Sequence, residues 1–202
     1  MRTAAVLFIA LAATATAASA QPVVNYTWTV SDTGNANGII EPGEQGLFTL
    51  SAQIVGAPGG YFAGSIFNVM NTGGLETGTF TVLNRNAALI MNPMGDGTAD
   101  MLGNISAIDV FQLPTALNPM ADTSNPVTLY TIQWDPGDYT PRTVSGMDVH
   151  VTTQIYDSPM AFAAVDVAGV GGSFVAQVVP APGAAALLAA AGLTAVRRGR
   201  RS

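Results

Sequence analysis

The sequence predicts an all-β fold, a two-sheet antiparallel sandwich, from three observations. Apolar residues alternate with polar ones at period two, as in a half-buried strand: Tyr26, Trp28 and Val30 share one face, and Asn25, Thr27, Thr29 and Ser31 the other. Turn residues punctuate these runs at Ala57-Pro58-Gly59-Gly60, Asn71-Thr72-Gly73-Gly74, Asn92-Pro93 and Asp135-Pro136-Gly137-Asp138. Between the two ends of the chain, no segment combines a 3.6-residue apolar period with helix caps.

The first strand is followed by a second through Phe48, Leu50, Ala52 and Ile54. Further runs lie at 62–70, at Phe80 and Val82, at 104–112, and at Tyr130, Ile132 and Trp134. The apolar set Met147, Val149 and Val151 then reads as an inner face, which places Asp148, His150 and Thr152 on the solvent side. Segments 160–167 and 172–178 complete about nine strands, the count of a sandwich. Thr, Val and aromatic side chains fill these runs, as a pleated surface prefers. Trp28 and Trp134 sit among apolar neighbours and read as core, whereas Tyr61, Tyr139 and Tyr156 fall at strand or loop ends and read as exposed.

Composition bounds the rest. The chain has 202 residues, of which 49% are hydrophobic, with 22 Gly, 12 Pro and no Cys. That length makes one domain, with enough core to stand without disulfides. The absent thiol excludes disulfide scaffolds, thiolate metal sites and cysteine nucleophiles. The net charge is -6; there is no lysine, and between Gln21 and Val178 the only basic residues are Arg85 and Arg142, against all thirteen acids. A body this acidic repels phosphate backbones, which excludes nucleic acid as a partner.

The two ends differ from the body. Arg2, the apolar run Ala4–Ala13 and the small-residue ending Ala18-Ser19-Ala20 form the layout of a secretory signal peptide over residues 1–20, cut after Ala20. The domain follows at 21–178. At 179–202 come Val179-Pro180-Ala181-Pro182-Gly183, then thirteen small or apolar residues from Ala184 to Val196, then Arg197, Arg198, Gly199, Arg200 and Arg201. As a helix the thirteen residues span about 20 Å, short of a ~30 Å hydrocarbon core. The arginines would stay on the cytoplasmic side while the body is exported.

This three-part ending resembles the PEP-CTERM sorting signal of Gram-negative bacteria, with Pro180-Ala181-Pro182 in place of Pro-Glu-Pro, similar to planctomycete-type forms. The resemblance implies export by the secretion machinery, transient membrane anchoring by the C-terminal helix and recognition by an exosortase-like membrane protease. It also implies cleavage near Pro180, Pro182 and Gly183, and delivery to the cell surface or extracellular matrix, where exopolysaccharide or other surface proteins are potential partners. The body is similar to secreted bacterial β-sandwich domains through its Asn37-Gly38-Ile39-Ile40-Glu41-Pro42-Gly43-Glu44 turn. Cohesin-like, immunoglobulin-like and jelly-roll topologies all satisfy the strand pattern, and the reading favours a cohesin-like or immunoglobulin-like sandwich.

One loop has the composition of a cation site. Asp32, Asn35, Asn37, Glu41 and Glu44 place oxygen ligands at near-alternate positions around Gly38, as a calcium loop requires. The spacing departs from the EF-hand template, since Thr33 stands at its first position and the flanks are strands. The same residues also suit a plain turn, as do those of the acidic segment Gly95–Asp100. Catalytic motifs are absent: no G-x-S-x-G, H-E-x-x-H or phosphate-cradling glycine loop occurs, and any Ser-His-Asp arrangement would have to use His150, the single histidine. The sequence therefore predicts an exported, non-catalytic cell-surface or matrix protein. Its alternatives are a calcium-stabilised carbohydrate- or protein-binding module and a glycoside hydrolase using two carboxylates.

Overall fold

The computed structural model describes residues 21–89 and 95–180; the signal peptide and the tail beyond Pro180 lie outside them. Twelve strands run in chain order: β1 (Val23–Asp32), β2 (Ile39–Ile40), β3 (Gly46–Val55), β4 (Tyr61–Gly73), β5 (Thr79–Arg85), β6 (Asp96–Ala99), β7 (Ile105–Phe111), β8 (Val127–Asp135), β9 (Arg142–Tyr156), β10 (Val165–Asp166), β11 (Ala168–Val170) and β12 (Ser173–Val178). The smaller sheet has the order β11-β1-β3-β8-β5 and the larger β2-β12-β9-β4-β7-β6, with β10 pairing on β9. The all-β sandwich is as expected, with two exceptions to antiparallel pairing: β11 runs parallel to β1, and β2 parallel to β12.

The alternation on β1 and β3 translates directly into burial. Val24, Tyr26 and Trp28 point inward from β1, and Phe48, Leu50, Ala52 and Ile54 from β3. Trp134 of β8 is fully buried, its indole N–H donating to the Leu75 carbonyl at 3.2 Å. Phe48 of the smaller sheet and Phe174 of the larger stack with centroids 4.4 Å apart, and Trp28 leans on Phe174 at 5.0 Å. Gly146 makes room for that ring, since a Cβ there would lie 2.6 Å from Phe174 Cζ.

The structure corrects several expectations. Segment 160–167 contributes only the two residues of β10, and three short strands, β2, β6 and β11, were not visible in the apolar pattern. Their residues are mostly exposed, so nothing selected for alternation there. Tyr61 and Tyr156 are buried, because their hydroxyls have partners: the Tyr61 hydroxyl accepts from Thr115 N, and the Tyr156 hydroxyl donates to Gln112 O. Tyr139 packs against the core and donates to Glu44 O.

The largest correction falls on β9. Val144, Gly146, Asp148 and His150 face inward, while Met147, Val149 and Val151 face solvent. The β4–β9 register then jumps between Ile66↔Thr152 and Phe67↔His150, skipping Val151, so that Thr153 and Ile155 point inward again. A bulge of this kind reverses side-chain parity. The apolar alternation on β9 thus marks the outside of the sheet, and its polar members mark the inside.

Replacing Phe48 by Ala removes the ring that joins the two sheets at Phe174. Equilibrium urea unfolding is expected to show a loss of about 3–5 kcal/mol.

Candidate functional site

A polar cluster occupies the core where β1, β4 and β9 meet. Asp148 Oδ1 accepts from Trp28 Nε1 at 2.5 Å and from Gly172 N at 2.9 Å, and Oδ2 lies 2.5 Å from His150 Nε2. His150 Nδ1 is 2.8 Å from Ser65 Oγ, and Ser65 donates its hydroxyl to Thr152 O at 2.7 Å. With that proton committed, Ser65 accepts from Nδ1–H, since a hydroxyl carries one donor. Tyr26 stacks on the imidazole at 3.4 Å between centroids and hydrogen-bonds Thr153 Oγ1 at 3.0 Å. Burial, supported by the Asp148 charge and opposed by the Ser65 and Thr153 hydroxyls, pushes the Tyr26 phenol up to about 12.

Ser65, His150 and Asp148 have the connectivity of a hydrolase triad, in a setting without access. The Ser65 residue is fully buried, and the side chains of His150 and Asp148 are 4% and 0% exposed. A nucleophile needs a space beside it for the reacting carbon and donors for its oxyanion. A cleft of about 520 Å³ opens beside Ile54, Pro58, Asn125 and Pro159, and one of about 140 Å³ beside Phe80, Ile105 and Tyr130; neither is lined by Ser65 or His150. The cluster ties the two sheets together instead. Gly171 and Gly172 let the β11–β12 crossover run against it: added Cβ atoms would lie 2.5 Å from Asp148 O and 2.7 Å from Tyr26 O.

The loop expected to hold a cation is organised by Asp32 from within. Asp32 is 3% exposed; Oδ1 accepts from Gly34 N and Ala36 N, and Oδ2 from Gly38 N, at 2.8–3.0 Å. Asn35 and Asn37 accept from the N–H two residues on, each closing a small side-chain turn. Glu44 accepts from Glu41 N, across a turn that has Pro42 and, at φ 91°, Gly43 in its centre. The five residues share one loop, yet among the described residues no group of three or more His, Asp or Glu is placed to hold a metal. Burial raises the Asp32 carboxyl, but N–H bonds from Gly38, Ala36, Gly34 and Asn35 together outweigh it and hold the group below the usual carboxylate range. Of the sorting residues only Pro180 is described; Pro182, Gly183, Arg197, Arg198, Arg200 and Arg201, with Ala18 and Ala20, lie outside.

The feature that sequence reasoning missed is the outer face of the larger sheet. Met70 and Met147 are directly opposed across β4 and β9, each 41% exposed. Val149 and Val151 continue the row at 45% and 67%, and Val175 of β12, opposite Ser145, stands at 60%. The signal was present in the apolar alternation of β9, assigned to the wrong side.

No family model matches the chain, and no curated protein does. Among solved structures it is similar to the seventh ScaB type I cohesin from Pseudobacteroides cellulosolvens, with 11% identity and a TM-score of 0.45, covering 74% of this chain and 89% of that one. It is also similar to the second type II cohesin module from the ScaA scaffoldin of Acetivibrio cellulolyticus, with 9% identity, a TM-score of 0.43, and coverage of 80% and 98%. A type I cohesin–dockerin complex from Clostridium thermocellum follows with 17% identity, a TM-score of 0.38, and coverage of 73% and 96%. These likenesses assign neither ligand nor site residue to this chain.

Replacing Asp148 by Ala strips Trp28 Nε1, Gly172 N and His150 of their common acceptor, and a loss of about 3–5 kcal/mol is expected in urea unfolding. Asp32→Asn is expected to cost about 2 kcal/mol at neutral pH. The folded carboxyl of Asp32 lies below its unfolded value of about 3.9. Its stabilisation is therefore complete above about pH 4 and fades as pH falls through the lowered folded value. A pH series of unfolding midpoints should show a shallower acid limb for Asp32→Asn than for the parent chain.

Proposed function

We propose that the chain is an exported, non-catalytic protein of the cell surface or extracellular matrix, whose sandwich binds another protein through the outer face of the larger sheet. The observation that carries this reading is the contiguous row Met70, Met147, Val149, Val151 and Val175, exposed on regular strands. Strand-borne apolar side chains of this kind mark interaction surfaces. The secretory layout of residues 1–20 and the three-part ending of 179–202 support export and sorting by an exosortase-like protease. In that order of events the tail holds the body at the membrane before processing.

The chemistry of the face favours protein over glycan. Sugar recognition uses exposed Trp or Tyr platforms. Here Trp28, Trp134, Tyr26, Tyr61, Tyr130 and Tyr156 are all buried. An apolar row of Met and Val instead suits the side chains of a folded partner, and Met adapts readily to the shape of what it meets. A photo-crosslinking side chain placed at Val149 of the surface-displayed chain is expected to form adducts with one protein species. The same group at Thr27, on the outer face of the smaller sheet, is expected to form none. Adducts with polysaccharide alone, or equal adducts from both positions, would remove the reading.

A further inference from the structure

We propose that the pole of the sandwich where β3 ends, β4 begins and β9 finishes docks an extended segment of a partner protein, one in which an apolar side chain is flanked by lysine or arginine. This site lies apart from the outer face of the larger sheet and stands whether or not that face binds. Three observations carry it: a cleft with fixed walls, an apolar rim, and charge with no counterpart.

The cleft of about 520 Å³ is walled by Ile54, Ala57, Pro58, Thr123, Asn125 and Pro159. That volume falls within the range of ligand sites, about 300–1,000 Å³. Its walls come from three loops, and each is tied down. The 57–60 turn closes through Gly60 N and Ala57 O at 3.0 Å. The Gln112 side-chain amide donates to Asp122 O at 2.9 Å and accepts from Asp122 N at 2.8 Å, which closes residues 113–121 into a compact loop. Thr115 of that loop donates its hydroxyl to Pro159 O at 2.6 Å and so fastens it to the loop after β9. Asn125 accepts from Ile54 N at 2.8 Å and donates to Ile54 O at 2.9 Å. Both backbone groups of Ile54 are thus taken, and an occupant enters by its side chains instead of extending the sheet. A cleft fixed in advance also spares its ligand part of the cost of ordering loops on binding.

The rim is apolar. Leu117 and Met120 are exposed on the 113–121 loop, and Met160 and Phe162 on the loop after β9, with Met120 and Met160 at 79% and 77%. Met160 follows Pro159 of the wall, and Met120 precedes Thr123 by three residues. Large apolar side chains held this far into water on anchored loops mark an interaction surface.

The charge selects the occupant. Asp122 adjoins Thr123 of the wall, and Asp157, which is exposed, stands two residues before Pro159. Among the described residues neither has an ion-pair partner, because the two arginines there, Arg85 and Arg142, pair with Asp96 and Asp138. An apolar cleft between two uncompensated carboxylates complements a cationic segment with an apolar anchor. The same carboxylates repel anionic lipid headgroups. A second copy brings no unpaired cation from its described residues.

A random heptapeptide library panned on the full-length chain tests the site. The selected peptides are expected to carry Leu, Met or Phe beside Lys or Arg. Thr123→Trp fills the cleft from an exposed position, and Asp157→Arg reverses an exposed charge. Binding of a synthetic selected peptide is expected to fall about tenfold in the first and about fivefold in the second, with urea midpoints unchanged. Val149→Arg, on the outer face of the larger sheet, is expected to leave that binding as it is. No enrichment, or selected peptides that lack basic residues and bind Thr123→Trp as well as the parent, would overturn the proposal. Binding to phosphatidylcholine vesicles in place of peptides, lost with Met120→Ser and Phe162→Ser, would make the rim a lipid anchor. Self-association lost with Thr123→Trp would make the occupant a second copy, and either result overturns the proposal as well.

Discussion

The contact between Trp28 and Asp148 is the constraint around which the sandwich is arranged. An indole N–H on the smaller sheet has one acceptor, a carboxylate buried on the larger, and the carboxylate in turn takes the N–H of Gly172 and the imidazole of His150. An unpaired charge at that depth would cost several kcal/mol. The spacing of the sheets, the inward parity of β9 and the glycine crossover at 171–172 must therefore all agree. Phe174 and Phe48 fill the space beside the clamp, and β11 and β12 reach their opposite sheets only because Gly171 and Gly172 allow close passage. The partners gathered on that carboxylate satisfy its oxygens, which makes its burial tolerable.

That arrangement explains what was legible in the chain and what was not. The inner residues of β3, of β8 and of β1 as far as Val30 are apolar or aromatic and could be read from period-two alternation, because hydrophobic burial decides their parity. On β9 the inner residues include Asp148 and His150, and the outer ones are Met147, Val149 and Val151. A rule that equates apolar with inside inverts the strand. Only the long-range partners Trp28 and Ser65, 120 and 85 residues away, reveal the true side. The bulge at Val151 is equally invisible, since it is defined by the register of two strands and not by either sequence.

The Asp32 loop shows the same limit at short range. Its composition of Asp, Asn, Gly and Glu is shared by cation sites and by turns that satisfy themselves. In the structure the oxygens of Asp32 turn inward to three backbone N–H groups, and those of Asn35 and Asn37 to the next N–H but one. Asp100 repeats the device before β7, where its carboxylate accepts from the N–H groups of Leu102 and Asn104. Acidic residues in this body are thus partly architectural, and the exposed apolar row was the feature to look for.

The chain enters and leaves at opposite poles. β1 begins at Val23 beside Val55, at the end where β4 starts and β9 finishes, whereas β12 ends beside Arg142, where β9 begins. A pull between the two poles runs parallel to the strands. It meets the ten paired positions of β1 on β3 and the six of β12 on β9 in shear, all strained together, not peeled one after another. Such a body is suited to bear load along its strands, with the Trp28–Asp148 clamp bracing the two sheets against sliding past each other.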